Sequence, residues 1–153
     1  MQPEIVQLPD RFVMGYVARI EPMSADYPTL WGQGFDPYDE SVSALAIEPG
    51  YYGVYYGTEQ PEMVDFVAGM IVDADATPIE GLVLRALPGG SYACFACTMG
   101  TLSETWGSIY SQWLPASGYR VDETRPAFEY FPPGMDPEMT IWILTAIMPA
   151  ESQ

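Results

Sequence analysis

The stretch AFEYF, at residues 127–131, is a short aromatic run with one carboxylate at its centre. Its composition is typical of a β-strand, and prolines on both sides set its limits. Because side chains alternate along a strand, Glu129 shares a face with Ala127 and Phe131. A carboxylate with apolar neighbours needs a hydrogen-bonding or positively charged partner. The residues alone leave three environments open for Glu129: solvent on an outer face, an internal arginine, or a cationic ligand.

Length and composition predict one globular domain. The chain has 153 residues, 48% of them hydrophobic, which is enough for a sizeable core. No run approaches the roughly eighteen consecutive apolar residues of a membrane span, so we expect no membrane association. The first residues lack a basic segment followed by an apolar one, so we predict no secretory signal and a cytoplasmic protein.

The charged residues exclude several functions. The formal net charge is −16, with five arginines, no lysine and no histidine. Such a surface repels nucleic acid, so no nucleic-acid partner is expected, and it attracts cations. The absence of histidine excludes Ser-His-Asp and Cys-His catalysis and removes the commonest zinc ligand. Cys94 and Cys97 supply only half of a zinc site and face opposite ways on a strand, so we predict no metal and no cofactor.

The chain contains an internal repeat. Leu8-Pro9 reappears as Leu87-Pro88, Trp31-Gly32 as Trp106-Gly107, and Pro61-Glu62-Met63 as Pro137-Glu138-Met139, at offsets of 79, 75 and 76 residues. Each copy indicates a strand, a helix and two further strands. The sequence therefore predicts a single α+β domain over residues 1–153. It consists of two βαββ repeats, at about 5–72 and 82–149, and a polar linker at 73–81 joins them.

The second repeat contains the clearest predicted elements. A helix is expected over 101–114, with Thr101 as its N-cap, because apolar residues recur there at helical spacing. The apolar stripe of this helix includes Trp106, which we assign to the core. Residues 82–87 and 92–98 are predicted to form a β-hairpin, because a proline and two glycines lie between them.

Several segments, taken in order, resemble a known family. They are LPGGSYACF at 87–95, Met99-Gly100, WLPASGY at 113–119 and Phe128-Glu129-Tyr130. Together they resemble the GyrI-like small-molecule-binding domain, which is also the effector-binding module of multidrug-sensing bacterial transcription regulators of the MerR and AraC types. The chain departs from the family at Met99, where a histidine often stands.

The resemblance implies a fold and two activities. The fold is an antiparallel sheet of two βαββ halves, related by a pseudo-twofold axis, with a ligand cleft between them. In drug-sensing relatives a buried glutamate on the strand after the second helix meets the positive charge of lipophilic aromatic cations, and Glu129 stands at that position. Some stand-alone relatives imply a second activity, the hydrolysis of reactive cyclopropane-containing toxins. Glu129 would then be catalytic, with Tyr55 or Tyr51 as the proton donor.

The repeat also predicts which aromatic residues share the cleft. An offset of 76 aligns Glu129 with Gly53, so Tyr51 and Tyr55 lie on the equivalent face of the first repeat. The glycine leaves room for a ring opposite the carboxylate. We therefore predict that Tyr51, Tyr55 and Phe131 hold a flat cation by stacking and cation–π attraction.

Two tryptophans are further candidates for the cleft. Trp142 lies on a strand whose other face is aliphatic, so it faces either the cleft or the core. Trp31 lies on a weakly specified helix and either covers the cleft as a lid or packs in the core. The predicted ligand-binding residues are therefore Glu129, Phe131, Tyr51, Tyr55, Trp142 and Trp31.

Three functions remain open at this point. The first is a stand-alone binding domain for lipophilic aromatic cations, since only about seven residues precede the first strand, too few for a helix-turn-helix. The second is a metal-independent hydrolase that uses the same cleft. The third is an acidic protein-interaction module, such as a gyrase-inhibitor-like protein. The charge allows this third function, but the acidic residues are scattered along the chain, which does not favour it.

Overall fold

The computed structural model describes residues 2–134, 136 and 138–150, so Pro137 of the second Pro-Glu-Met motif lies outside the described residues. Strands are the main regular structure of the chain, because β-branched and aromatic residues are frequent between the turns. In chain order they are β1 (Glu4–Leu8), β2 (Arg11–Ile20), β3 (Tyr51–Gly57), β4 (Val64–Val72), β5 (Val83–Leu87), β6 (Gly90–Cys97), β7 (Tyr119–Val121), β8 (Ala127–Phe131) and β9 (Ile141–Pro149).

Two helical segments accompany the strands. The first helix (residues 27–43) is α-helical at Tyr27–Thr29, π-helical at Leu30–Phe35, 3₁₀ at Asp36–Tyr38 and α-helical at Asp39–Ser43. The second helix (residues 99–117) is 3₁₀ at Met99–Thr101, α-helical at Leu102–Ser108, π-helical at Ile109–Trp113 and α-helical at Leu114–Ser117. None of the described helices is long and apolar enough to cross a membrane.

The second helix begins earlier than its sequence predicts. Thr98 is the N-cap residue, and its backbone N–H donates to Thr101 Oγ1 at 3.0 Å. Thr101 therefore occupies the third helical position of a capping box instead of the cap itself. The helix ends at Gly118, which adopts a left-handed conformation with φ of 80° that favours glycine.

The strands form one antiparallel sheet, which confirms the predicted α+β class. Their order is β1-β6-β9-β8-β3-β4-β2-β5, with β7 beside β9. This order has twofold symmetry. Exchanging β1 with β5, β2 with β6, β3 with β8 and β4 with β9 gives the same order read from the opposite edge of the sheet. The pair β3–β8 therefore lies at the centre of the sheet, where the two halves meet.

The predicted hairpin between residues 82–87 and 92–98 is wrong. β5 pairs with β2, and β1 pairs with β6. The first strand of each repeat therefore pairs with the second strand of the other repeat. The two connections cross, and the Gly89 N–H donates to Asp10 Oδ1 at 2.7 Å. The exchange places Leu8 and Leu87 against one shared core cluster, which a local hairpin would not achieve.

The two faces of the sheet carry different layers. One face, called here the helix face, is covered by both helices. The first helix covers a cluster around Phe66, and the second helix covers a cluster around Ile143. The opposite face carries a third cluster around Phe128. Glu129 points to the helix face, since its cross-strand partners are Gly53 and Ile143.

The crossing of the two connections requires a glycine. A Cβ atom on Gly89 would lie 2.2 Å from the carbonyl oxygen of Leu8, whereas a Cβ atom on Gly107 would meet nothing within 4 Å. We expect Gly89→Ala to lower the free energy of unfolding by about 2 kcal/mol, because the backbone must shift. We expect Gly107→Ala, inside the second helix, to raise it by up to about 1 kcal/mol. Urea titrations measure both, and an unchanged Gly89→Ala variant would contradict the observed crossing.

Candidate functional site

The site is built around the carboxylate of Glu129. This residue lies at the middle of β8, and β8 lies between β3 and β9 at the centre of the sheet. The side chain is 4% exposed, so solvent is not its partner. A carboxylate this deeply buried is costly unless other groups satisfy it.

Two neutral side chains donate hydrogen bonds to Glu129. The indole Nε1–H of Trp106 donates to Oε2 at 2.7 Å, and the hydroxyl of Tyr55 donates to the same oxygen at 3.1 Å. One donor comes from the second helix and the other from β3, so the carboxylate joins the two layers. Among the described residues, no hydrogen bond reaches Oε1.

The arginines near the sheet pair with other carboxylates. Arg11 lies 3.5 Å from Glu48, and Arg125 lies 2.9 Å from Asp122. Arg19 and Arg85 both contact Asp65, at 3.0 and 3.6 Å. The ion pairs of these four arginines therefore do not include Glu129.

Burial dominates the electrostatics of the site. It raises the pKa of Glu129 to about 7, against the opposing effect of the hydrogen bonds from Trp106 and Tyr55. Burial and the nearby Glu129 charge also raise the pKa of Tyr55, so its hydroxyl keeps its proton at neutral pH. The same two causes raise the pKa of Cys97 to about 11, which leaves an unreactive thiol.

Trp31 brings the predicted aromatic residues of the two halves together. Its ring meets Tyr51 and Phe131 edge-on, with centroids 6.3 and 5.8 Å away. It also meets Phe35 and Phe66, at 5.8 and 6.3 Å. The tryptophan is half-buried, and it lies against Tyr51 and Phe131, where the sequence predicts the ring of a ligand.

The room beside Gly53 is also occupied. A Cβ atom on this glycine would lie 3.0 Å from the ring of Phe66 and 3.3 Å from Glu129 Oε1. The glycine therefore accommodates a ring, as its position predicts, but the ring belongs to the protein. With Trp31 and Phe66 in these positions, the cleft is closed.

The two tyrosines of β3 that the sequence assigns to the cleft, Tyr51 and Tyr55, direct their hydroxyl groups to different partners. Tyr51 donates to both carboxylate oxygens of Asp39 on the first helix, at 3.1 Å each. Tyr55 instead reaches Glu129. Of the two predicted proton donors, only Tyr55 is therefore placed to act with Glu129.

The structure corrects the predicted position of Trp142. This residue pairs with Tyr130 across β8 and β9, so it lies on the face of the sheet opposite Glu129. Its ring lies 6.2 Å from that of Tyr130 and packs on the cluster around Phe128. Core clusters cover both faces of β9. The aliphatic character of one face therefore does not indicate that the other face, which carries Trp142, lines the cleft.

Sequence reasoning missed two residues of the site. Trp106 was assigned to the core, and Phe66 was not considered. The repeat carried a signal for the first, because Trp106-Gly107 matches Trp31-Gly32 and Trp31 was already a candidate. Phe66 has no such signal, since its position beside Gly53 depends on the absence of a side chain at that glycine.

Tyr27 completes the wall on the side of the first helix. Its ring lies edge-on to Tyr55 and Phe66, at 6.4 and 5.3 Å, and its hydroxyl donates to the carbonyl oxygen of Pro22 at 2.8 Å. The described residues contain no cluster of three or more metal-ligating side chains. The arrangement can therefore accept a cation or exchange a proton at one buried carboxylate.

Comparisons with known proteins agree with this fold. The model of a family described as the GyrI-like small molecule binding domain matches residues 1–146. A protein of Erwinia billingiae (strain Eb661) named "DNA gyrase inhibitor" is 27% identical over 107 residues, which are 65% of this chain and 68% of that protein.

Solved structures share the fold at low sequence identity. The protein SAV2435, bound to tetraphenylphosphonium, has a TM-score of 0.78 at 12% identity, covering 97% of this chain and 94% of its own. The C-terminal domain of EcmrR has a TM-score of 0.72 at 12% identity, covering 97% and 98%. A hydrolase encoded by lin2189 from Listeria innocua has a TM-score of 0.60 at 11% identity, covering 96% and 92%.

The raised pKa of Glu129 makes the stability of the protein depend on pH. Its pKa rises from an ordinary value of 4.5 to about 7 on folding, so between these values the folded state binds the extra proton. The resulting stabilisation is complete below pH 4.5 and disappears as the pH rises to about 7, a difference of about 3 kcal/mol. Glu129→Gln removes this slope, so wild type should lose stability relative to the variant as the pH rises.

Urea denaturation of both proteins from pH 5 to 8 measures this difference. Glu62→Gln is the matched control, because Glu62 is exposed and the same charge is removed. A difference between wild type and Glu129→Gln that stays constant across this range would mean that Glu129 ionises normally.

Proposed function

The chain belongs to the family of GyrI-like small-molecule-binding domains, and we propose that it binds lipophilic aromatic cations at Glu129. The single observation that carries this proposal is a carboxylate, 4% exposed, whose two hydrogen-bond donors are both neutral. The match of the family model over residues 1–146 supports a small molecule as the ligand.

The charge of the ligand follows from the electrostatics of Glu129. Burial removes the carboxylate from water, and the Trp106 and Tyr55 hydrogen bonds only partly compensate, which is why the pKa stays raised. A cation beside Oε1 would supply the missing positive charge in a medium of low dielectric constant, where such an attraction is strong. A neutral or anionic ligand would leave the ionised carboxylate uncompensated.

The aromatic character of the ligand follows from the rings around the carboxylate. Tyr51 and Phe131 are cross-strand partners, and the Trp31 ring lies edge-on to both, with centroids 6.3 and 5.8 Å away. Such rings attract a delocalised cation by both apolar contact and cation–π interaction. The tetraphenylphosphonium bound to SAV2435, which shares the fold, has this chemistry.

Ligand entry requires the closed cleft to open, and we assign the role of lid to Trp31. The side chain lies on the π-helical part of the first helix, Leu30–Phe35, which is less regular than an α-helix. Its neighbour Gly32 has open space where a side chain would be. An outward movement of this segment would vacate the position between Tyr51 and Phe131 for a ligand ring.

The same geometry supports hydrolysis of strained electrophiles as a second function. A buried carboxylate with a pKa of about 7 is suited to general base catalysis, and the Tyr55 hydroxyl lies 3.1 Å away as a proton donor. Glu129 would take a proton from water as the water attacks the strained carbon. The ring bond would break, and the leaving carbon would take a proton from Tyr55, which Glu129 then reprotonates.

Isosteric ions test the binding function. Tetraphenylphosphonium and tetraphenylborate have the same shape and opposite charge. At pH 8 we expect the wild type to bind the cation at least tenfold more tightly than the anion. Glu129→Gln should weaken cation binding about 10- to 150-fold, because about 1.5–3 kcal/mol of interaction with a charged group is lost. Equilibrium dialysis measures both ligands.

The control for this experiment is again Glu62→Gln, which removes one negative charge from an exposed residue in the turn between β3 and β4. It should bind tetraphenylphosphonium like the wild type. Equal binding of both ions by the wild type, or an equal effect of the two substitutions, would contradict a ligand-facing Glu129.

Turnover of a cyclopropane-containing alkylating compound tests the second function. If the protein is a hydrolase, the ring-opened product should form faster than in buffer, and both Glu129→Gln and Tyr55→Phe should reduce the rate to background. Tyr51→Phe is the matched control and should retain activity, since its hydroxyl contacts Asp39. Chromatography of the products follows the reaction, and a background rate for the wild type would leave binding as the function.

A further inference from the structure

The two oxygens of the Glu129 carboxylate have different surroundings. Both neutral donors, Trp106 and Tyr55, bind Oε2. Oε1 accepts no hydrogen bond from the described residues and lies 3.3 Å from where a Cβ atom of Gly53 would be. A proton on Oε2 would displace at least one existing donor, whereas a proton on Oε1 displaces none. The protonated form therefore carries its O–H at Oε1, on the side of the aromatic rings.

The titratable groups that face Glu129 in the described part of the chain are two tyrosines and a cysteine, and they keep their protons around neutral pH. The groups that face it come from every element packed around it, namely Tyr55 on β3, Phe66 on β4, Cys97 on β6, Ile143 on β9, Tyr27 on the first helix and Trp106 on the second. Burial raises the pKa of the tyrosines and of the cysteine, so all of them remain neutral. Among these groups, Glu129 is therefore the one whose charge changes around neutral pH, and the Asp39 carboxylate that accepts from Tyr51 adds a further negative charge beside the cleft.

Each protonation state of the free site leaves one group without a partner. The ionised carboxylate forms no ion pair with Arg11, Arg19, Arg85 or Arg125, and its hydrogen-bond donors in the described part of the chain are neutral. The protonated carboxyl has its O–H at Oε1, to which no hydrogen bond from the described side chains is directed, and a donor left unpaired on a residue that is only 4% exposed is also costly. The first state is completed by a cation, and the second by a neutral molecule with a hydrogen-bond acceptor.

We propose that the cleft binds two chemical classes of ligand, lipophilic aromatic cations when Glu129 is ionised and neutral aromatic molecules with a strong hydrogen-bond acceptor when Oε1 carries a proton. Binding of a cation to the protonated site then releases one proton to the solvent. Binding of a neutral acceptor to the ionised site takes one proton up. The proposal rests on the proposed function only for the position of the ligand beside Glu129.

Two probes of similar shape distinguish these classes. Tetraphenylphosphonium is a cation without an acceptor, and triphenylphosphine oxide is neutral with a strong phosphoryl acceptor. Neither probe titrates between pH 5.5 and 8.5, so any pH dependence comes from the protein. We expect the dissociation constants to change in opposite directions. With a pKa of about 7, the cation should bind about 30-fold more weakly at pH 5.5 than at 8.5, and the oxide about 30-fold more tightly.

Glu129→Gln provides a control with a defined orientation. The donors Trp106 and Tyr55 both require an acceptor at the position of Oε2, so the amide oxygen takes that position and the amide NH₂ replaces Oε1. This variant presents a neutral donor at every pH. It should bind triphenylphosphine oxide with similar affinity from pH 5.5 to 8.5 and bind the cation weakly throughout. Glu62→Gln should reproduce the wild-type behaviour.

Each outcome supports or overturns the proposal. Opposite pH trends that disappear in Glu129→Gln support it. Cation binding without any binding of the oxide, or with the same pH trend for both probes, overturns it and leaves the proposed function intact. If the oxide binds with the expected trend and the cation binds at no pH, the proposed function is overturned together with the two-class proposal. If neither probe binds, both are overturned.

Discussion

The burial of one carboxylate, held by the Trp106 indole and the Tyr55 hydroxyl, is the constraint on which the site depends. An internal ion pair would have neutralised the charge of Glu129, and a cationic ligand would then gain no electrostatic attraction from it. Neutral donors hold the side chain in place without cancelling its charge. The negative charge of the ionised carboxylate therefore stays only partly compensated at the centre of the sheet, and for this reason the pKa of Glu129 is raised.

The pairing of β1 and β5 with strands of the opposite half helps to form the central position that Glu129 occupies in the sheet. β1 and β5 each join the opposite half, so the halves are connected at both edges as well as at the central β3–β8 pair. Glu129 lies on that central pair, opposite Gly53. A second carboxylate at the glycine position would repel the first, and a larger side chain would collide with Phe66. The related halves thus contribute unequal residues to one shared site.

The aromatic rings close the cleft from the side of the first helix. Trp31 and Phe66 hold apolar surface away from water when no ligand is bound, which is favourable but leaves Glu129 unpaired. Both helices contain π-helical and 3₁₀ turns, but the second begins at a capping box, ends at a left-handed glycine and is joined to Glu129 by the Trp106 hydrogen bond. The side of the cleft that carries Trp106 is therefore the better-fixed one, and movement is expected at Trp31.

The sequence by itself determined the features that depend on local order. Alternation along a strand and the repeat offset placed Glu129, Tyr51, Tyr55 and Phe131 on one face, and the structure places them there because residue spacing within a paired strand fixes direction. Only the tertiary structure decided which strands pair, and so the predicted hairpin was wrong. It also decided the face of Trp142 and the hydrogen bond from Trp106, because these depend on how separate elements are rotated and packed. Periodicity shows that a residue is buried, but the contacts it makes across layers are set by parts of the chain far away in sequence.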